Sequence, residues 1–130
     1  MMTDPIADML TRLRNANKAR LPRVEFSYSR LRENILKVLY EHHYIRGYAR
    51  LGEKKPVLRA ALRFGRNGVP MITGLKRVSK PGRRVYADRE RLSTFGRRLG
   101  MTVVSTSRGV LAHPQALKEG VGGEVMLQVW

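Results

Sequence analysis

Apolar positions along the first third of the chain recur at helical spacing, then at the spacing of a strand. Ile6, Met9, Leu10 and Leu13, with Ala16 extending the stripe, share one face of a helix. Arg12, Arg14, Asn15 and Lys18 fall largely on the other side. Thr3 or Asp4 suits the N-cap, and Pro5 suits the first helical position, where its missing N–H is harmless. Val24-Glu25-Phe26-Ser27-Tyr28 alternates strictly and predicts a short strand. A second helix is expected from near Ser29, presenting Leu31, Ile35, Val38 and Leu39 on one face and stopping around His42 to Tyr44. Tyr44 to Leu51 and Val57 to Phe64 then read as a hairpin around Gly52-Glu53-Lys54-Lys55. In the later strand Leu58, Ala60, Leu62 and Phe64 face one way, while Arg59, Ala61 and Arg63 face the other.

The pattern changes after this α-β-α-β-β unit. Gly65-Arg66-Asn67-Gly68-Val69-Pro70 is turn-rich and makes the best boundary. Beyond it the apolar segments shorten to Met71–Val78, Val85-Tyr86, Met101–Thr106, Gly109–Leu111 and Glu124–Trp130, all read as strands. Asp88 to Leu99 is the one full helical candidate, with Gly100 as its stop, and Pro114 to Lys118 is a candidate for a further helical turn. The expected fold class is α+β: an N-terminal two-layer unit over 1–68 and a mainly antiparallel β domain with one short helix over 69–130.

Charge narrows the function classes. The chain carries 26 Lys and Arg against 10 Asp and Glu, a net +16 in 130 residues, split evenly between its halves. The excess is therefore built into the whole body and is no detachable tail. Nineteen of the basic residues are Arg, whose planar fork pairs bidentately with phosphate and stacks on bases. A polyanion is the simple partner for such a body. Cysteine is absent, which excludes disulfides and thiolate metal sites and suits the cytosol. No apolar run approaches the ~20 residues that span a bilayer, and no secretory signal is visible, so no membrane role is expected.

Enzyme chemistry finds no support. His42 and His43 are adjacent, so on a helix they point about 100° apart and cannot share a metal. Gly120-Val121-Gly122-Gly123 lacks a following Lys-Ser/Thr and precedes a strand, so it is no nucleotide loop. The expectation is no catalysis, no cofactor and no metal.

Two clusters carry binding chemistry. Ser105-Thr106-Ser107-Arg108-Gly109 sets three hydroxyls and a guanidinium between two apolar strands. Hydroxyls that both donate and accept suit RNA, with its 2′-OH groups, phosphates and exposed base edges. The alternative is a hairpin loop whose hydroxyls cap its own backbone. Lys76-Arg77-Val78-Ser79-Lys80-Pro81-Gly82-Arg83-Arg84-Val85-Tyr86 places five basic residues around a Pro-Gly turn, then an aromatic ring. Its charges can track phosphates while Tyr86 either stacks on a base or joins the core. Gly122 and Gly123 permit close approach, by RNA or by a neighbouring strand.

The chain also resembles a known family. Thr3 to Arg12 with Asn15-Ala16, then Ile72-Thr73-Gly74-Leu75-Lys76-Arg77-Val78-Ser79-Lys80-Pro81-Gly82, then Val103 to Leu111, then Gly120 to Val125 and the end at Trp130 are similar to the bacterial small-subunit ribosomal protein S-eight family. The four motifs are collinear and cover essentially the whole chain.

That resemblance implies an α+β N-terminal and a mainly β C-terminal domain. It implies binding to small-subunit ribosomal RNA at an irregular internal loop in a stem, organising the RNA's central domain early in assembly. It further implies contacts with neighbouring small-subunit ribosomal proteins, a cytoplasmic ribosome location, and in some bacteria repression through a mimic of the site on the operon's own messenger RNA. Carried over by position, Ser105, Thr106 and Ser107 meet the loop, with Arg108 beside them. Tyr86, Gly122, Gly123 and Glu124 lie by the same surface, and Thr3, Asp4, Pro5 and Arg14 touch neighbouring RNA. Lys76, Lys80, Arg83 and Arg84 add the phosphate contacts expected from the basic turn. Ala112-His113-Pro114-Gln115 departs from the more polar, acidic turn usual in the family. The rival readings are a general RNA chaperone or nucleic-acid-compacting protein, and an RNA-modifying enzyme.

Overall fold

A computed structural model describes residues 4–95 and 100–130. Pro5–Thr73 forms one compact unit, and Gly74–Trp130 joined by Asp4 forms the other. The turn at 65–70 lies inside the first unit: Gly65 N–H donates to Val69 O at 2.7 Å and Met71 N–H to Arg63 O at 2.9 Å.

In the first unit, helix α1 (Pro5–Lys18) begins at the proline and buries the expected stripe of Ile6, Met9, Leu10, Leu13 and Ala16. Strand β1 (Arg23–Ser27) leads to helix α2 (Arg30–Glu41), whose N-cap Ser29 accepts from the Arg32 N–H at 3.1 Å. Strands β2 (Ile45–Leu51) and β3 (Val57–Leu62) pair antiparallel, and β1 pairs with β3 on its other side, giving the order β1-β3-β2. Phe26, Leu58, Ala60 and Leu62 face inward and are buried.

The expectation for Leu31 is corrected. Leu31 is 37% exposed, and Arg32 (6%) takes the inward position. One residue along a helix turns the side chain by about 100°, so the two cannot share the face. Arg32 stays buried because its donors are met: Nε and Nη2 donate to Pro5 O at 3.1 and 2.9 Å, Nη1 to Ser27 O and Oγ at 3.0 and 2.6 Å, and Nη2 to Asp8 at 3.2 Å. One guanidinium thus ties the start of α1 to the end of β1.

The second unit is a five-stranded antiparallel sheet. Its strands are β4 (Leu75–Arg77), β5 (Tyr86–Ala87), β6 (Met101–Thr106), β7 (Gly109–Ala112) and β8 (Gly123–Val129). The order is β4-β8-β6-β7, with β5 also on β8. Helix α3 (Arg89–Phe95) starts where Asp88 Oδ1 accepts from the Arg91 N–H. The expected continuation to Leu99 lies outside the described residues over 96–99. The Pro114–Lys118 turn is helical, within α4 (His113–Glu119), and Gly120 closes it in the left-handed conformation at φ 70°. Ala87, Leu92, Val104, Ala116 and Val125 form the core under α3 and α4.

Candidate nucleic-acid interface

The hydroxyl cluster sits at the tip of a tight hairpin. Thr106 pairs with Gly109 across β6 and β7, leaving Ser107 and Arg108 as a two-residue loop, and Gly109 adopts φ 106°. The Thr106 hydroxyl closes this loop: it donates to Gly109 O at 2.8 Å and accepts from the Arg108 N–H at 3.0 Å. Thr106 therefore shapes the turn, which is the backbone-capping arrangement. No hydrogen bond among the described residues engages the hydroxyls of Ser105 or Ser107. Arg108 is held loosely toward Glu119, at 3.6 Å.

Strand register assembles the rest. Ser105 lies opposite Glu124 on β8, and Glu124 lies opposite Tyr86 on β5. Paired residues in an antiparallel ladder point to the same face. The next pairs along, Val104 with Val125, are in the helix-covered core. Alternation therefore turns Tyr86, Glu124 and Ser105 to the opposite face. Tyr86 is 64% exposed there, so its ring is not part of the core. Glu124 draws in Arg84: Nη1 donates to Oε2 at 3.0 Å, and this hydrogen bond with the carboxylate's charge raises the Arg84 pKa.

The two glycines are demanded by the protein's own strands. A Cβ on Gly122 would overlap the Ala87 carbonyl oxygen and lie 2.8 Å from Asp88 Cα. One on Gly123 would overlap the Ser105 carbonyl oxygen and lie 3.1 Å from Thr106 Cα. Of the two readings left open for this pair, close strand approach is the one seen.

The basic turn divides into inward and outward charges. Lys80 and Arg83 bond to each other through both backbone groups at 2.9 Å around Pro81-Gly82. Lys76, Lys80 and Arg83 are exposed. Arg77 turns inward, a correction to its place among five cluster charges. Its Nε and Nη2 contact Asp4 at 3.2 and 3.5 Å, and Nη1 donates to Met126 O at 2.8 Å. Asp4 is thus an anchor for Arg77. Pro5 and Arg14 lie on α1 in the first unit, and Thr3 is outside the described residues.

Sequence reasoning missed Ser79. It is fully buried, its hydroxyl accepting from the Val85 N–H at 2.8 Å and donating to Val85 O at 3.1 Å. Its own N–H donates to Val125 O at 3.0 Å. Ser79 pins the base of the basic turn to β8. A serine directly before Lys-Pro-Gly was the available signal.

Among the described residues no cluster of His, Cys, Asp or Glu could hold a metal, and no helix is long and apolar enough to cross a membrane.

Comparison with known proteins assigns this arrangement to a family. The family model described as Ribosomal protein S8 matches residues 4–130. The small ribosomal subunit protein uS8 of Clostridioides difficile (strain 630) is 46% identical over 130 residues, covering 99% of this chain and 98% of that one. The protein of the same name from Caldicellulosiruptor bescii is 47% identical over 128 residues, covering 98% and 97%. The Saccharopolyspora erythraea protein, also so named, is 48% identical, covering 99% and 98%. Identity of this depth over nearly the whole chain places the chain in the ribosomal protein S8 family.

Proposed function

We propose that the chain is a structural constituent of the small ribosomal subunit in the cytoplasm, that it binds the subunit's RNA, and that it performs no catalysis. In this reading it recognises an irregular internal loop in a helical stem and organises the central domain of the RNA during assembly. The unit of Gly74–Trp130 does the recognising, and the α+β unit of Pro5–Thr73 accompanies it. The observation that carries the reading is the pair of unengaged hydroxyls, Ser105 on the sheet face that also presents the exposed Tyr86 ring and Ser107 in the loop at the hairpin tip. Regular A-form RNA hides its bases in a deep groove, so such groups are useful only where the stem opens. Lys76, Lys80 and Arg83 add affinity through counterion release, which is blind to sequence and sensitive to salt. Repression of the chain's own operon, through a messenger mimic of the same loop, uses the same surface.

Filter binding to an irregular stem, a regular RNA duplex and random duplex DNA, each at two salt concentrations, tests this. Ser107→Ala is expected to weaken the irregular stem by about 1–3 kcal/mol while barely changing the regular duplex. Arg83→Gln is expected to lower the salt slope by roughly one unit. Equal losses of Ser107→Ala on both RNAs, or full competition by duplex DNA, would instead mark a general RNA chaperone or compacting protein.

A further inference from the structure

The RNA reading makes no use of a buried imidazole in the second unit, His113, where strand β7 hands over to helix α4. Val103 with Ala112 is the last backbone pair of β6 and β7. The next pair would set Thr102 against His113, but His113 is already the first residue of α4, so its backbone has left the ladder. Its side chain takes over: the Thr102 N–H donates to His113 Nδ1 at 3.0 Å. Thr102 and His113 are 2% and 6% exposed, so water is no ready substitute for this acceptor. The Thr102 hydroxyl is engaged as well, accepting from Gln128 Nε2 at 3.4 Å. An imidazole that accepts at Nδ1 carries its proton on Nε2 and is neutral.

We propose that His113 is a proton-sensitive lock: neutral, it clamps α4 to the start of β6, and one added proton releases the helix. A protonated imidazole donates from both nitrogens and accepts at neither, so its Nδ1–H would meet the Thr102 N–H head on. The new charge would also be buried, at the end of a helix where free backbone N–H groups disfavour a cation. Strands β6 and β7 carry no titratable side chain. The carboxylates on the other elements around it have partners of their own or face water. Glu119 of α4 is drawn to Arg108 at 3.6 Å, and Glu124 of β8 holds Arg84 at 3.0 Å. Asp88 and Glu90, at the start of α3, are exposed, and Asp88 accepts from the Arg91 N–H. The cations there, Lys118 on α4 with Arg89 and Arg91 on α3, do not favour a further positive charge. The unfolded chain takes up the proton near pH 6.5, as a free imidazole does. The fold resists it, so the lock is whole above about pH 6.5 and weakens as pH falls below that. Release uncovers the core that Ala116 shares with Val104 and Val125, and it frees the Glu119 end that restrains Arg108 in the hairpin loop.

Two measurements on the full chain, free of RNA, test the lock. In nitrogen NMR of the parent at pH 5.5, where a free imidazole is protonated, the His113 ring is expected to stay neutral with its proton on Nε2. Native-state amide exchange is then compared at pH 7.5 and 5.5, each corrected for the intrinsic rate. Protection at Thr102 and at Leu117 of α4 is expected to fall about tenfold, the factor that one pH unit below the free imidazole value supplies, while Leu58 and Ala60 of β3 hold theirs. His113→Asn keeps an acceptor where Nδ1 stood and takes no proton in this range, so its protection is expected not to change between the two pH values. A chain with His42→Gln and His43→Asn is expected to lose protection as the parent does. A protonated His113 in the folded parent, unchanged protection at Thr102, or a loss that persists in His113→Asn overturns the proposal. An equal loss at Leu58 and Ala60 marks general acid unfolding and overturns it too. Should His113→Asn not fold, the two parent measurements and the His42–His43 chain decide. No RNA enters the test, so its failure leaves the RNA reading standing.

Discussion

Ser79→Ala isolates one hydroxyl whose loss can be worked through bond by bond. The change removes a single oxygen from a fully buried site and adds no bulk. Two hydrogen bonds disappear, one to each backbone group of Val85. The Val85 carbonyl keeps the Val125 N–H at 2.8 Å, so that side loses only the net worth of a neutral hydrogen bond, about 1 kcal/mol. The Val85 N–H loses its acceptor. Leaving a donor unpaired costs about 1–3 kcal/mol, and Val85 is only half-buried, so water holds the cost near the low end. The expected sum is about 2 kcal/mol, or a melting temperature lower by roughly 6–10 °C for a chain of this size. Thermal and urea unfolding followed by circular dichroism measure it, with Thr11→Ala as control. Thr11 bonds only to a carbonyl within its own exposed helix turn, and its loss is expected to fall within about 0.5 kcal/mol. The same variant is expected to lower affinity for the irregular stem, since Ser79 holds the base of the Lys80–Arg83 turn. A Ser79→Ala protein as stable as the parent would refute the assignment of Ser79 as the turn's anchor.

Three further outcomes follow from the geometry. Arg32→Met is expected to cost about 2–4 kcal/mol in urea unfolding, because Pro5 O and Ser27 O lose a shared buried donor, and Arg32→Lys is expected not to rescue it, a point charge being unable to span both. Gly123→Ala must push β8 from β6 and is expected to destabilise by about 1–3 kcal/mol, with faster amide exchange at Ser105 and Thr106; unchanged exchange there would contradict the close approach. Burial raises the Tyr44 phenol, and burial followed by the charges of Glu33 and Glu41 raises that of Tyr48. The folded state therefore holds these protons more tightly than the unfolded chain does. Their contribution to stability is whole below about pH 10 and is lost as pH rises through the folded values, so Tyr44→Phe with Tyr48→Phe is expected to flatten the alkaline decline in melting temperature.

Much of this protein was legible along the chain because its signals are local. The stripe from Ile6 to Ala16, the cap at Ser29, the hairpin around Gly52 and the strand-turn-strand of 101–112 each depend on residues within a turn or two of one another. Periodicity and turn chemistry report such relations directly. The even spread of +16 charge likewise pointed to a polyanion before any element was placed.

The division of labour within those elements depended on contacts between distant residues. Arg77 looks like Arg83 in sequence, yet its partners Met126 and Asp4 lie 49 and 73 residues away, and they draw it inward. Leu31 and Arg32 exchange their expected places because Pro5, 27 residues back, supplies the carbonyl that makes a buried guanidinium affordable. Tyr86 could be core or exposed until register set it beside Glu124 and Ser105 on the face away from the helices. Gly122 and Gly123 could serve a ligand or a neighbouring strand until Ala87 and Ser105 were found against them. Composition and spacing determined the elements and the polyanionic partner class. Tertiary pairing decided which charges, hydroxyls and rings reach the surface, because that choice depends on which distant backbone groups arrive beside each side chain.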